Sequence, residues 1–307
     1  MNIVILGPHG QVGGMLVNEL AMAEFDSLRV TTIGRTAADI EWCDTNLVTL
    51  TNQLDQIKPD VIINAIAYTA VDKAESEPKL AYVLNADLPS ALADWCARTN
   101  ALLVHYSTDF VFDGMQPGAW KEWQETAPIS VYGKTKLAGE KALQLSTAMS
   151  ITLRTSWVYG ETGNNFMKTM LRLGEQREEL SVVDDQHGCP TYSRDLAKAT
   201  ISLIMQYQEN NAKFVEKQQL YHLSGKGKTT WYGFAKEIFA MAADYQTLAL
   251  KKLNAIPSSD YPTPAVRPCN SELDCTEILT DYQIAAVDWR VSLAEVLDRY
   301  YQENVEK

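Results

Sequence analysis

Positive charge is what this chain most plainly lacks. Its 27 lysines and arginines face 39 aspartates and glutamates, a formal charge of −12. Without a basic stripe there are too few cations to neutralise a nucleic-acid backbone, so nucleic acid is excluded as a partner. A nucleotide needs only local cations and backbone N–H groups, for which Arg35, Lys73, Lys136 and Arg267 are candidates. Long hydrophobic runs are missing too. No stretch of 18 apolar residues and no charged-then-apolar leader occurs, so neither membrane spanning nor secretion is expected. Cysteine is sparse: Cys43, Cys96, Cys189, Cys269 and Cys275 contain no C-x-x-C pair and leave an odd thiol. That excludes a disulfide framework and suits a reducing, cytoplasmic setting, with Cys189 the thiol expected nearest a site. Internal repeats and low-complexity tracts are also lacking. What remains, 46% hydrophobic and 21% charged over 307 residues, suffices for one large core or two modest ones.

Over the first half, apolar strand-like runs alternate with helical patterns. Asn2 to Leu6, Leu28 to Ile33, Asp60 to Asn64 and Leu102 to Ser107 read as strands, with helices from about Gln11, Leu47 and Pro78 between them. This alternation predicts an α/β fold, a doubly wound parallel sheet of Rossmann type. A helix from about Val131 into Ala142 should feed a strand at Ile151 to Thr155. Beyond Trp157 the pattern loosens around Gly160, Gly163, Gly188 and Pro190, then tightens into an amphipathic helix from about Arg194 to Gln208, with Leu220 to Leu223 returning to the sheet. The proline-rich stretch from Ile256 to Pro268 is neither helix nor central strand. It reads as a binding loop, and a last helix starts near Ser292. The expected division is a dinucleotide-binding domain over 1–156 and a smaller, discontinuous, mainly substrate-binding domain over 157–307, with segments near 194–224 returning to the first.

Gly7, Gly10 and Gly13 follow the first strand and open the first helix, so that with Gln11 and Val12 the backbone approaches a pyrophosphate at a helix N-terminus. The second strand ends in Ile33-Gly34-Arg35, where an NAD site usually offers a carboxylate to the ribose 2′-hydroxyl and an NADP site an arginine to the 2′-phosphate. Arg35 therefore favours NADPH, with NADH also usable; an exposed turn arginine is the plainer alternative. Asp44 is a candidate for the adenine amino group or simply a helix cap. Ala65 and Ala67, at the end of the third strand, let backbone pass close to the cofactor.

Tyr132 and Lys136 stand four residues apart, on one face of the expected helix. A phenol of pKa about 10 is a poor acid at neutral pH, and an adjacent ammonium should improve it by stabilising the phenolate. A carbonyl accepting hydride needs such a proton donor. The Ser107 and Thr108 hydroxyls follow the apolar run Ala101 to Val104, at the carboxyl edge of the sheet where ligands bind.

Five stretches narrow the reading: Val71-Asp72-Lys73-Ala74-Glu75, His105-Tyr106-Ser107-Thr108-Asp109, Val131 through Glu140, Arg154-Thr155-Ser156-Trp157-Val158-Tyr159, and Arg267-Pro268-Cys269-Asn270-Ser271. With the glycine fingerprint they resemble, over nearly the whole chain, the dTDP-4-dehydrorhamnose reductases of the extended short-chain dehydrogenase/reductase superfamily. The resemblance implies NADPH-dependent reduction of the C4 ketone of dTDP-4-dehydro-L-rhamnose. By motif position it implies catalytic roles for Thr108, Tyr132 and Lys136, with Lys136 also holding the nicotinamide ribose. Asp109, Phe110 and Trp157 would contact the sugar and Arg267 the nucleotide pyrophosphate. For Trp157, core packing is the alternative.

Two departures from the family stand out. Many relatives have tyrosine at Phe110. Some bacterial relatives dimerise around a magnesium ion held by glutamates, and two of the matched positions are Met15 and Arg194, neither a ligand for a hard cation. No metal is expected, though a homodimer remains open. Two rival readings also stay open: the regulatory subunit of methionine adenosyltransferase, which resembles the same family, and a reductase or epimerase of another nucleotide-linked ketosugar.

Overall fold

A computed structural model describes residues 1–22, 28–42, 45–210, 214 and 220–305. Strands β1 (Asn2–Leu6), β2 (Arg29–Gly34), β3 (Ile40–Glu41), β4 (Val61–Asn64), β5 (Leu102–Thr108) and β6 (Ser150–Thr155) join Leu220–His222 in one seven-stranded sheet. Its order is 220–222, β6, β5, β4, β1, β2, β3, and each pairing is parallel. This is the doubly wound fold expected. β4, β5 and β6 are buried at every residue, because helices cover both faces. Alternation along β1 divides the core: Ile3 and Ile5 pack toward the helices Gln11–Met22 and Ser193–Glu209, Val4 and Leu6 toward Leu47–Ile57 and Leu88–Thr99. Among the described residues no helix is long and apolar enough to cross a membrane.

Local signals set most boundaries of the first half. Asn46 caps Leu47–Ile57, its side chain accepting from Val48 N at 3.0 Å, and Ser130 caps Val131–Leu145 through Gly133 N at 3.1 Å. The helix expected from Pro78 is broken: Pro78–Tyr82 runs into a π-helical turn, Val83–Asp87, before Leu88–Thr99 continues. β3 was not expected, two residues being too few to show a period.

The second half holds more regular structure than its sequence suggested. Helices Phe166–Gln176, Trp231–Ala242 and Thr276–Tyr282 and the parallel ladder of Glu179–Val183 with Lys252–Ile256 were not anticipated. Met167, Met170, Leu171 and Gly174 do carry helical spacing, masked by the glycines just before them. The last helix begins at Trp289 rather than near Ser292. Apart from Ile256, which ends its ladder, and a 3-10 turn at Ser258–Asp260, the 256–268 stretch is irregular.

Candidate active site

The strand order reverses between β1 and β4, and the glycine loop lies at that crevice. Gly7 has φ +81°, and a Cβ on Gly13 would lie 2.0 Å from the Gly7 carbonyl oxygen, so no side chain fits there. Gly7, Pro8, His9, Gly10, Arg35, Trp42, Ala65, Ile66, Ala67 and Leu84 are among the residues lining a cleft of about 420 Å³. Arg35 is exposed at its rim. Val12 packs against the core. Gln11 reaches across the molecule, donating to the Val158 carbonyl at 3.4 Å and accepting from Asn165 Nδ2 at 3.1 Å. Asp44 lies outside the described residues.

At the end of β5, Thr108 and Asp109 are buried, and Thr108 Oγ1 donates to Asp109 Oδ1 at 2.9 Å while accepting from Phe110 N at 3.2 Å. Burial raises the Asp109 pKa to about 6, and the Ser271 and Thr108 hydroxyls hold it back only in part. Tyr132 lies close by, its ring edge-to-face with Phe110 at 5.4 Å between centroids. A Cβ on Gly133 would lie 2.2 Å from the Phe110 carbonyl oxygen, so this glycine permits the close approach of helix to β5 loop.

The expected acidification of Tyr132 by Lys136 is not what the geometry gives. Burial pushes the phenol up to about 12, with a Thr108 hydrogen bond pulling it down and Asp109 raising it further. Lys136 instead turns inward and donates to the Tyr106 carbonyl at 2.5 Å, with His105 Nε2 at 3.5 Å. Burial lowers its pKa to about 8, and Glu140 opposes the shift.

Two supports were missed in the sequence. Glu140 and Arg154 form a buried, two-pronged ion pair, with Arg154 Nε and NH2 reaching the carboxylate at 2.8 and 2.6 Å, and Ser107 also donates to Glu140. The pair ties the Tyr132 helix to β6. Asn85, presented by the π turn, bonds Tyr68 N at 2.8 Å and Thr135 Oγ1 at 3.0 Å, fixing the other side of that helix. The single charged residue of a short alternating strand and a glutamate in its own motif were the available signals.

Trp157 sits beyond β6 with φ +48° and stacks on Trp231, the rings 3.5 Å apart and 8° from parallel. Trp231 and Phe166 were not singled out in the sequence. Both line a cleft of about 800 Å³, together with Val182, Tyr261 and Arg267. Arg267 is engaged from the other side by Asp72, NH2 to Oδ2 at 2.9 Å and NH1 to Oδ1 at 3.2 Å. Three residues on, Asn270 anchors the 116–118 turn, donating to the Gln116 and Gly118 carbonyls at 3.1 and 2.7 Å. Cys189 is buried, its thiol pushed up to about 12, and its carbonyl accepts from Ser156. Met15 belongs to the core, and Arg194 pairs with Glu19 at 2.6 Å and Glu295 at 3.8 Å.

The family model described as the RmlD substrate binding domain matches residues 1–302. The dTDP-4-dehydrorhamnose reductase of Shigella flexneri is 43% identical over 304 residues, 98% of either chain. A crystal structure of a dTDP-4-dehydrorhamnose reductase from Clostridium acetobutylicum ATCC 824 is similar at a TM-score of 0.86 and 35% identity, covering 97% of this chain and 99% of that one. That of Bacillus anthracis str. Ames, in complex with NADP, gives 0.84 at 34% identity, covering 98% and 99%. With its fold, its full length and its motifs all matched, the chain belongs to the dTDP-4-dehydrorhamnose reductase family.

Proposed function

We propose that the protein reduces the C4 ketone of dTDP-4-dehydro-L-rhamnose with NADPH, forming dTDP-L-rhamnose. The observation that carries this reading is the gathering of Thr108, Asp109, Tyr132 and Lys136 at one edge of the sheet that also bears the glycine cradle. The cradle fits a dinucleotide, since Gly13 has no space for a Cβ and Gly7 and Gly10 bring backbone to the cleft. When bound there, the reduced nicotinamide supplies hydride. Gly7, Gly10, Gln11, Val12 and Gly13 would hold the pyrophosphate, Arg35 the 2′-phosphate, Asp44 the adenine, and Ala65 and Ala67 would let the backbone pass close.

Tyr132 delivers the proton to the developing alkoxide. Its high pKa keeps the phenol protonated at neutral pH, the state a donor needs. Thr108 positions the ketone oxygen, Lys136 holds the nicotinamide ribose, and Asp109, Phe110 and Trp157 orient the sugar, with Arg267 reserved for the pyrophosphate. Residues 1–156 would then serve the cofactor and 157–307 mainly the sugar nucleotide. A cytoplasmic homodimer belongs to the same reading; light scattering in solution tests the assembly.

The deciding experiment incubates the protein with NADPH and dTDP-4-dehydro-L-rhamnose, following cofactor oxidation and identifying the product. Formation of dTDP-L-rhamnose is expected without added divalent metal. No oxidation with that sugar, together with binding and alteration of a methionine adenosyltransferase, would overturn the reading.

A further inference from the structure

Lys136 has 1% of its surface exposed, and its inward seat is shared with a histidine that the reaction does not touch. His105 is completely buried on β5, in register with Asn64 of β4. Asn64 decides the state of that ring. Its Oδ1 accepts from the Ile66 backbone N–H at 3.2 Å, which leaves Nδ2 to face His105 Nδ1 at 3.2 Å. An amide NH₂ only donates, so Nδ1 accepts and the neutral ring carries its proton on Nε2. Burial and the nearby Lys136 both hold the imidazole neutral. Nε2–H therefore points at Lys136 Nζ. An ammonium has three donors and no lone pair, so it meets this group donor against donor, whereas a free amine accepts from it. The 3.5 Å separation, longer than an ordinary hydrogen bond to nitrogen, fits two donors held apart.

We propose that His105, oriented by Asn64, is a positioning residue that makes the recess beside the Tyr106 carbonyl a poor seat for the Lys136 ammonium, and so directs the charged side chain forward toward the cofactor ribose and Tyr132. The forward role rests on the reductase reading; the inward geometry does not. The other titratable groups around the recess are Glu140 on the same helix, already held by Arg154 and Ser107, and Tyr132 and Asp109 on the reaction side.

Two measurements on the cofactor-free protein test this. In isotope-edited imidazole nitrogen spectra, the His105 signal, assigned by its loss in His105→Gln, should show a neutral ring protonated on Nε2 from about pH 5 to 8. A proton on Nδ1, or a ring that titrates in that range, overturns the proposal. The second uses Asn64→Asp, whose carboxylate can still accept from Ile66 N but now also accepts from Nδ1–H, freeing Nε2 to receive the ammonium. NMR titration of ε-carbon-labelled lysine, with Lys136 assigned by its loss in Lys136→Met, should show its pKa raised by about one unit. The pH above which kcat falls should rise with it. An unchanged Lys136 titration in the folded variant rules the proposal out, and should Asn64→Asp not fold, the wild-type tautomer decides alone. The expected tautomer and titration in a protein inactive on ketosugars would instead count against the reductase reading.

Discussion

The glycine loop after β1 and the end of β5 share one edge of the sheet but are built from opposite materials. The loop offers backbone, with His9, Gly10 and Arg35 exposed. The β5 end offers side chains, and His105, Ser107, Thr108, Asp109, Lys136 and Glu140 are each at most 4% exposed. A pyrophosphate is bound well by N–H groups that need only an absence of Cβ atoms. Charge developing on a ketone oxygen needs groups fixed beforehand and screened from water. Burial then has to be offset residue by residue: Glu140 is answered by a guanidinium, Asp109 by hydroxyls and backbone N–H groups.

Breaking the better-answered carboxylate should have the largest effect. Arg154→Met leaves Glu140 buried and unpaired, so urea unfolding should show a loss of about 3–5 kcal/mol. A loss below about 1 kcal/mol would mean that the pair is dispensable. Asp109 tests the other side of the contrast. Its folded pKa of about 6 exceeds the unfolded value of about 3.9, so its contribution is fully present below the unfolded value and is lost as pH rises through the folded one. Relative to Asp109→Asn, the wild type should lose about 3 kcal/mol of stability between about pH 3 and pH 7. A constant difference between the two unfolding curves contradicts the assignment.

Tyr132→Phe removes the proton donor while leaving the cradle intact. Turnover should drop by about 10² with NADPH affinity unchanged, as steady-state kinetics and equilibrium binding would report. Near-normal turnover would move the proton elsewhere. The smallest effect belongs to the open end: Arg35→Ala should weaken NADPH by roughly tenfold and NADH much less, a charge-assisted contact to one phosphate being lost. Equal losses for the two cofactors would make Arg35 a surface residue.

Much of the first half was legible because its signals are local. Apolar runs, the glycines after β1 and helical spacing each act within a few residues, and they set β1, the first helix, β5 and the Tyr132 helix to within a few positions. The spacing of Tyr132 and Lys136 on one helix is of the same kind. The second half was read less well because the helices at Phe166 and Trp231 follow glycine-containing loops, Thr276–Tyr282 is only seven residues long, and the short ladders carry little period.

What the chain order could not show is which distant residues meet. Asn64 with His105, Glu140 with Arg154, Asn85 with Thr135, Trp157 with Trp231, and Asp72 with Arg267 are side-chain pairs made only when separate elements pack. They also decide the chemical state of the motif residues. The sequence by itself determined the sheet, the cradle and the residues available for chemistry, through periodicity and the steric demands of single positions. Tertiary packing alone decided that the Tyr132 phenol is made a weaker acid rather than a stronger one and that Lys136 faces inward, because desolvation and hydrogen-bond partners exist only once those positions are enclosed.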